Sequence, residues 1–146
     1  MEKSIYEFFA AYEKRFNEAL KGETDVEATA NAFGPYFVEA GPAGIHGGSN
    51  DQEFRKKIPQ GMEFYRQIGT YSMEILSQEV TPLDDLHYMV KIHWKATYKN
   101  KDNTELDIDF DVLYFLQNKE DQLKIFAYIT GDEDKVMREH GLINSM

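Results

Sequence analysis

The sequence contains no cysteine among its 146 residues, and this absence removes several kinds of chemistry. Without cysteine the chain forms no disulfide bond, offers no thiolate to a metal ion and has no thiol nucleophile. Positive charge is also scarce, since 16 Lys and Arg residues stand against 26 Asp and Glu residues, for a formal net charge of −10. A chain this acidic is repelled by nucleic-acid phosphates and by anionic membranes, so we expect neither as a partner.

Long apolar segments are lacking as well. No stretch approaches the roughly 20 apolar residues that cross a bilayer. Residues 1–14 contain a short apolar run interrupted by charges, without the cleavage-site pattern of a signal peptide. We therefore expect a soluble, cytoplasmic protein. The apolar content of 42% and the aromatic content of 14% are typical of a folded chain, and the length predicts one domain over residues 1–146.

The segment from Leu86 to Gln117 carries the clearest structural pattern, two alternating runs joined by a polar turn at residues 100–103. A period of two with β-branched and aromatic residues predicts a pair of strands with different faces. One face is apolar nearly throughout, and the other mixes charged with apolar side chains. The apolar face contains Tyr88, Val90, Ile92, Trp94, Ala96, Tyr98, Leu106, Ile108, Phe110, Val112, Tyr114 and Leu116; the mixed face contains Met89, Lys91, His93, Lys95, Lys99, Glu105, Asp107, Asp109, Asp111, Leu113 and Phe115.

The charges on the mixed face predict how the two strands pair. If Trp94 lies opposite Ile108, three opposite-charge pairs form across the strands: Lys95 with Asp107, His93 with Asp109, and Lys91 with Asp111. Each such pair stabilises a sheet by roughly 0.2–1 kcal/mol. A shift of two residues keeps the faces but loses part of this charge matching, and a shift of one mixes the faces.

The remaining elements follow in an order typical of an α+β fold. An amphipathic helix is predicted from Ser4 to Lys21, and a second helix with capping-box spacing at 24–27 runs to about Phe33. After a glycine-rich loop at 41–48, Ser49 and Asn50 can cap a third helix, which we expect to kink or break near Ile58 because of Pro59. Strands are predicted for 70–80 and 123–130, and a short C-terminal helix ends at Gly141. Three helices against one face of a curved, mainly antiparallel sheet enclose a pocket within a cone.

Four segments in this order resemble the nuclear transport factor 2-like superfamily, in particular its SnoaL-like and ketosteroid-isomerase-like proteins. They are Val38-Glu39, Gly44–Gly47, Asp111–Phe115 and Leu123–Thr130. The resemblance implies a conical cystatin-like fold, an apolar pocket between helices and sheet, and frequent dimerisation through the outer sheet face.

The pattern and the resemblance assign the two hairpin faces differently. The pattern alone places the apolar face on the helices, whereas in the family the acid matching Asp111 points into the pocket. The resemblance therefore implies that the mixed face lines the pocket, together with Phe126, Tyr128 and Thr130. The apolar face then becomes an outer surface on which we expect a homodimer, because a large exposed apolar patch marks an interface. The interface residues are Trp94, Ile108, Phe110, Val112 and Ile125.

The catalytic residues of ketosteroid isomerases are only partly matched. Those enzymes use an aspartate base at the end of the first strand, with a first-helix tyrosine and a protonated strand acid as the oxyanion hole. Ala40 stands at the position of the base, and Phe16 stands nearest the tyrosine, with Tyr12 one turn away. Since only Asp111 matches, we do not expect steroid isomerisation. Glu39 is either a substitute base or a solvated acid at a strand end.

Asp111 and His93 are the best remaining catalytic candidates. A carboxyl group beside Leu113 and Phe115 has its charged form disfavoured, so it can act as an acid while a histidine shuttles the proton. The alternative is a structural charge ladder, in which Lys91, His93 and Lys95 neutralise the aspartates. A metal site of His93, Asp109 and Asp111 is disfavoured because the adjacent lysines compete for the carboxylates. We expect no metal and no cofactor.

Three functions are therefore compatible with the sequence. The first is a small-molecule-binding protein whose pocket accepts a compact, partly apolar ligand. The second is an isomerase, cyclase or dehydratase that uses Asp111 and His93 as acid and base. The third is a protein-interaction module with a vestigial pocket. The predicted ligand-binding residues are Tyr12, Phe16, Glu39, Met89, Asp109, Leu113, Phe115, Phe126 and Tyr128, with Asp111, His93 and Tyr128 as polar anchors.

Overall fold

The structure, a computed structural model, describes residues 1–131 and 133–139, and within them it confirms the predicted α+β fold. Three helices lie in the first half of the chain, six strands form one curved sheet, and a short helix follows the last strand. The predicted end of that last helix at Gly141 lies outside the described residues. The elements are α1 Glu2–Leu20, α2 Val26–Asn31, β1 Phe33–Gly41, β2 Gly44–Ser49, α3 Gln52–Gln67, β3 Thr70–Pro82, β4 His87–Lys99, β5 Glu105–Lys119, β6 Gln122–Thr130 and α4 Glu133–Glu139.

The sheet has the strand order β2-β1-β6-β5-β4-β3. Strands β1 and β6 pair in parallel, and every other neighbouring pair is antiparallel. The long hairpin β4–β5 therefore lies near one end of the sheet, while the parallel pair brings the end of β1 beside the end of β6. None of the described helices has both the length and the apolar character needed to cross a membrane.

The hydrophobic core lies between α1 and the apolar face of the hairpin. Ile5 and Phe9 of α1 are fully buried and belong to one cluster with Trp94, Leu116 and Ile125. The pattern alone therefore assigned the faces correctly, and the assignment taken from the resemblance is wrong. The physical reason is desolvation, because packing the Lys and Asp side chains of the mixed face under α1 would remove them from water at large cost.

The predicted dimer surface is corrected by the same observation. Trp94 is 1% exposed, Val112 is 4% exposed and Ile125 is not exposed at all, so these side chains are covered within a single chain. Ile108 is also buried, and Phe110 packs against the core clusters. These five residues therefore form no outer surface on which a second copy could dock.

The hairpin register differs from the prediction by two residues. Trp94 pairs with Phe110, and His93 pairs with Asp111 instead of Asp109. The turn explains the shift, because the strands separate after Lys99 and rejoin at Glu105, leaving a five-residue loop. In that loop Asn103 adopts a φ of 65°, and Asp102 accepts hydrogen bonds from the backbone and hydroxyl of Thr104. The observed register also forms three opposite-charge pairs, Lys95–Asp109, His93–Asp111 and Lys99–Glu105, so charge matching alone does not distinguish it from the predicted register.

Three further predictions about local structure are corrected. The segment predicted as a glycine-rich loop contains the strand Gly44–Ser49, which pairs with β1 in a hairpin. The third helix continues through Pro59 without a break, and its N-cap is Asp51, whose side chain accepts from the backbone N–H of Phe54. Asn50, a predicted cap, instead donates to the backbone carbonyls of Ala30, Phe33 and Gly34, so it joins α2 and β1 to the start of α3.

Candidate functional site

A β-bulge in β6 determines which of its side chains face the helices. Leu116 pairs with Ile125 and Phe115 pairs with Ala127, so Phe126 is the extra residue. Such an insertion changes the phase of a strand. As a result the inward side of β6 contains Ile125 before the bulge but Tyr128 and Thr130 after it, since these pair with the inward-facing residues of β5.

The strand ends and the helices together enclose a cavity of about 430 Å³ above the apolar sheet face. Aromatic side chains form much of its wall, and they are contributed by α1, α3 and the strands β4, β5 and β6. The aromatic residues are Tyr12, Phe16, Tyr65, Trp94, Tyr98, Phe110, Tyr114 and Tyr128; the other lining residues are Glu39, Thr70, Met73, Ile108, Asp111, Val112, Thr130, Gly131, Val136 and Met137.

A second, more open cavity of about 620 Å³ lies beside the first, between the three N-terminal helices and the β1–β2 hairpin. The two cavities share Tyr12, Phe16, Glu39, Tyr65 and Tyr128. These shared residues therefore stand at the junction, where a bound molecule could contact both spaces. His46 of β2, which pairs with Glu39, borders only the second cavity.

Glu39 and Tyr128 form the polar feature of this junction. The parallel pairing of β1 with β6 sets the two residues side by side, and the Tyr128 hydroxyl donates to Oε2 of Glu39 over 3.1 Å. Burial, and then the nearby negative charge of Glu39, raises the pKa of the Tyr128 phenol. The hydroxyl therefore stays protonated and acts as a donor, which leaves the carboxylate anchored by a neutral partner.

The first cavity also contains a polar atom that lacks a hydrogen-bond partner among the described residues. Thr70 is 6% exposed, and its Oγ1 has no hydrogen-bond partner within residues 1–131 and 133–139. By contrast, the buried Nε1 of Trp94 donates to the Tyr114 hydroxyl over 3.1 Å. Buried polar atoms are normally paired, so an unpaired hydroxyl in a cavity wall is a candidate contact for a ligand.

The predicted catalytic pair is in contact but lies on the opposite face of the sheet. Nδ1 of His93 is 2.6 Å from Oδ1 of Asp111, and Nε2 is 3.3 Å from Oδ2 of Asp109. The hydrogen bond with Asp111 is the main reason that the pKa of His93 is raised. Lys91 approaches the same aspartate at 3.8 Å, and Lys95 pairs with Glu74 of β3. The contacts of Lys91 and His93 agree with the predicted charge ladder, whereas Lys95 pairs with Glu74 and Asp107 accepts a hydrogen bond from Thr97 instead.

The predicted ligand-binding residues are divided between the two faces. Tyr12, Phe16, Glu39 and Tyr128 border the first cavity. Asp111 borders it where the pairing of β5 with β6 stops at Val112, but its carboxylate contacts His93 and Lys91 outside. The other predicted residues have their side chains on the outer face, so their placement in the pocket is corrected: Met89, His93, Asp109, Leu113, Phe115 and Phe126.

Several cavity residues were not proposed as ligand contacts from the sequence. Trp94, Tyr98 and Tyr114 follow from the apolar period of the hairpin once that face is placed on the helices. Tyr65 and Thr70 have no comparable signal, because they come from the end of α3 and the start of β3 and meet the others only in the folded chain. Within the described residues, no group of three or more His, Asp or Glu side chains has the arrangement of a metal site.

Comparisons with known proteins agree on the fold. A family model described as NTF2-like protein (DUF6841) matches residues 2–133. No curated protein matches the sequence. Among solved structures, an NTF2-like protein with a cystatin-like fold from Novosphingobium aromaticivorans has a TM-score of 0.70 at 12% identity, with 99% of this chain and 89% of that chain covered.

Two further structures show the same architecture. Aln2 from a Streptomyces species has a TM-score of 0.67 at 16% identity, with 94% of each chain covered. A ketosteroid isomerase-like protein from Erwinia carotovora atroseptica has a TM-score of 0.60 at 16% identity, covering 90% of this chain and 92% of that one. At such low identity these likenesses concern the fold alone.

Proposed function

The chain belongs to the NTF2-like family DUF6841, and we propose that it is a small-molecule-binding protein whose ligand occupies the cavity between the helices and the sheet. One observation carries this proposal: a partly enclosed space of about 430 Å³ is lined mainly by aromatic and aliphatic side chains, with fewer polar groups. Ligand pockets in proteins have volumes of roughly 300–1,000 Å³ and this same kind of lining.

The residues of the cavity support a partly apolar ligand. The ring of Tyr12 lies 6.2 Å from that of Trp94 and 6.1 Å from that of Tyr114, measured between centroids, so the three form a connected wall. Contact with such a wall removes apolar ligand surface from water, which is worth roughly 25 cal/mol per Å². Glu39 and Thr70, with the hydroxyl of Tyr128, are the polar groups that can orient the ligand.

The geometry favours binding over acid–base chemistry by Asp111 and His93. Both carboxylate oxygens of Asp111 are engaged on the outer face, by His93 and Lys91. A ligand in the cavity is separated from the imidazole of His93 by the sheet itself. We therefore do not propose that Asp111 and His93 act as acid and base on such a ligand.

A thermal-shift screen with a matched pair of variants tests the binding function. Thr130 borders the cavity, whereas Leu76 is an exposed apolar residue of β3 that borders neither of the two cavities. Thr130→Phe adds a ring at the cavity wall, and Leu76→Phe makes a similar addition outside. A ligand at a hundredfold excess over its Kd stabilises the folded state by about 2.7 kcal/mol.

We expect a compound from a panel of small aromatic and polycyclic molecules to raise the melting temperature of the wild type and of Leu76→Phe. The same compound should give a much smaller shift with Thr130→Phe. Circular dichroism of both variants checks that they are folded. A ligand site in this cavity would be contradicted if no compound raises the melting temperature, or if Thr130→Phe shows the same shift as the wild type.

A second copy of the chain is the partner that we propose for the outer face of β1, β2 and β6. Val38, Ile45, Phe126 and Ile129 expose apolar side chains there, and Ile45 is 78% exposed. Register places Val38 beside Ala127 and Ile45 across from Ala40, so the exposed groups lie on neighbouring strands. A contiguous apolar patch on a protein surface marks an interaction site, and here it replaces the surface predicted from the sequence.

Light scattering tests this dimer. We expect the wild type to have twice the mass of the chain, and the double variant Val38→Glu with Ile45→Glu to have the mass of one chain. Leu76→Glu is the control, because Leu76 is an exposed apolar residue of β3, at the end of the sheet opposite to β2 and β1. A wild-type monomer, or a dimer that persists in the double variant, contradicts the proposal.

A further inference from the structure

The first cavity combines one unpaired carboxylate with walls of aromatic rings. The carboxylate of Glu39 accepts a hydrogen bond from Tyr128 but forms no ion pair with any residue in the described part of the chain. Its Oε1 receives no hydrogen bond from those residues either. A negative charge beside a partly enclosed space is thus available to a bound molecule.

The described residues that line this cavity carry an unbalanced charge. Among the described lining residues there are two acids, Glu39 and Asp111, and no Lys, Arg or His. The carboxylate of Asp111 is paired with His93 and Lys91 on the outer face, so within the described part of the lining the acid that remains for the cavity is Glu39. Arg15, Lys57 and His46 border the second cavity together with Asp51 and Glu53, and His46 is the cross-strand neighbour of Glu39 but forms no ion pair with it. The net charge of −10 further attracts cations to the molecule.

Aromatic rings stand next to this charge. Tyr12, Tyr65 and Tyr128 border the cavity together with Glu39, and the ring of Tyr114 lies 6.1 Å from that of Tyr12 and 6.3 Å from that of Tyr128, measured between centroids. The faces of aromatic rings carry partial negative charge and attract ammonium groups, most strongly where water is excluded. A carboxylate and several ring faces around one space therefore favour the same kind of ligand group.

We propose that the ligand of this cavity is a cation, a protonated amine or a quaternary ammonium compound with an apolar body, whose positive group lies against Glu39 and the neighbouring tyrosines. This inference rests on the proposed binding function and names its ligand class. The apolar body contacts the wall that contains Trp94 and Tyr114. The free Oγ1 of Thr70 provides a hydrogen bond to a polar group of the ligand at the base of β3.

Three probes with one carbon skeleton separate charge from shape. Phenylpropylamine, phenylpropanol and phenylpropanoate carry positive, neutral and negative groups on the same apolar body. Isothermal titration calorimetry measures the Kd of each with the wild type, with Glu39→Gln and with a control, Glu79→Gln. Glu79 is an exposed glutamate on the outer side of β3, paired with Lys91 in register, so the control changes the net charge equally but away from the cavity.

The wild type is expected to bind the amine most tightly, the alcohol less tightly and the carboxylate least. Glu39 is exposed at the edge of the cavity, so Glu39→Gln should weaken amine binding by about threefold to fivefold, the loss of affinity expected for an ion pair open to solvent. Alcohol binding should stay within about twofold of the wild type in Glu39→Gln, and Glu79→Gln should leave all three affinities unchanged.

Each alternative result has a distinct meaning. If the alcohol or the carboxylate binds as tightly as the amine, or if Glu39→Gln leaves the amine affinity unchanged, the cation inference is wrong while the binding function stands. If none of the three probes shows saturable binding, both the cation inference and the proposed pocket are contradicted. Weakening of the amine in Glu79→Gln to the same extent would assign the preference to net charge and overturn a role for Glu39.

Discussion

At the scale of single residues, the hydrogen bond between Trp94 and Tyr114 joins two buried strands beneath α1. Both side chains are buried, and the Trp94 Nε1 donates to the Tyr114 hydroxyl. Removing the hydroxyl leaves a buried donor without a partner, a situation that costs about 1–3 kcal/mol. This bond also holds the indole in place at the wall of the cavity.

Tyr114→Phe is therefore expected to lower the free energy of unfolding by about 1–3 kcal/mol. Urea denaturation measures this change from the midpoint and slope of the transition. Tyr36→Phe is the matched control, because Tyr36 is 72% exposed and the substitution should change stability by less than about 0.5 kcal/mol. Equal stabilities of the two variants would show that the buried hydrogen bond contributes nothing.

The charged groups around His93 give stability a pH dependence. Asp111 and Asp109 of β5 contact its imidazole, Ser77 of β3 pairs beside it, and Lys91 and Lys95 flank it on β4. Because the folded pKa of His93 is raised above the ordinary 6.5, its contribution is complete below that value. It is lost as the pH rises through the folded pKa, where the imidazolium releases its proton.

We expect the stability difference between the wild type and His93→Gln to be larger at pH 6 than at pH 9, with the wild type favoured at the lower value. Urea midpoints at a series of pH values measure this difference. His46→Gln serves as the control, since His46 lies on β2 and forms no ion pair within the described residues. A difference that is constant with pH would contradict the role of the aspartates.

At the scale of whole elements, helix α1 protects the open edge of the sheet. Strand β3 is the last strand in the order, so one side of its backbone has no neighbouring strand. The side chain of Asn17 forms hydrogen bonds with this free edge, because its Oδ1 accepts from the Met73 N–H and its Nδ2 donates to the Met73 carbonyl. Glu13 accepts from the Ile75 N–H in the same way. Side chains of a helix thus satisfy backbone groups that would otherwise attract another chain.

Asn17→Ala should therefore destabilise the fold by about 1–3 kcal/mol, because two backbone groups of β3 lose their partners. The variant should also show faster hydrogen exchange at Met73 than the wild type. Asn31→Ala, at an exposed residue whose side chain makes no hydrogen bond within the described chain, is the control. Unchanged exchange at Met73 in Asn17→Ala would refute edge protection by this side chain.

The elements also show what sequence could predict about the site. The apolar period of the hairpin was sufficient to place Trp94 on the helices, and the family resemblance was sufficient to predict the fold and a lining role for Tyr12, Phe16 and Glu39. The bulge at Phe126 was not predictable from alternation, because an inserted residue reverses the faces of β6 without altering its composition. The acid of the family motif also suggested an inward Asp111, but the carboxylate lies outside with His93.

At the scale of the molecule, the predicted α+β fold and the nuclear transport factor 2-like resemblance are confirmed. The cavity depends on contacts between distant parts of the chain, such as Tyr65 near the end of the third helix and Tyr128 in the last strand. Local sequence patterns do not predict which distant residues come into contact, because each of these residues also fits an ordinary core position. The lining of the cavity therefore becomes visible only in the folded chain, whereas the fold class is predictable from the sequence.

The proposed ligand binds inside this cavity, and the fluorescence emission of Trp94 can measure that binding. It is the single tryptophan of the sequence and borders the cavity, so its fluorescence reports on the site alone. Titration with phenylpropylamine should give a saturable change in Trp94 emission with the Kd found by calorimetry, and the change should disappear in Thr130→Phe. Binding by calorimetry with no change in Trp94 emission would place the ligand elsewhere and contradict the account.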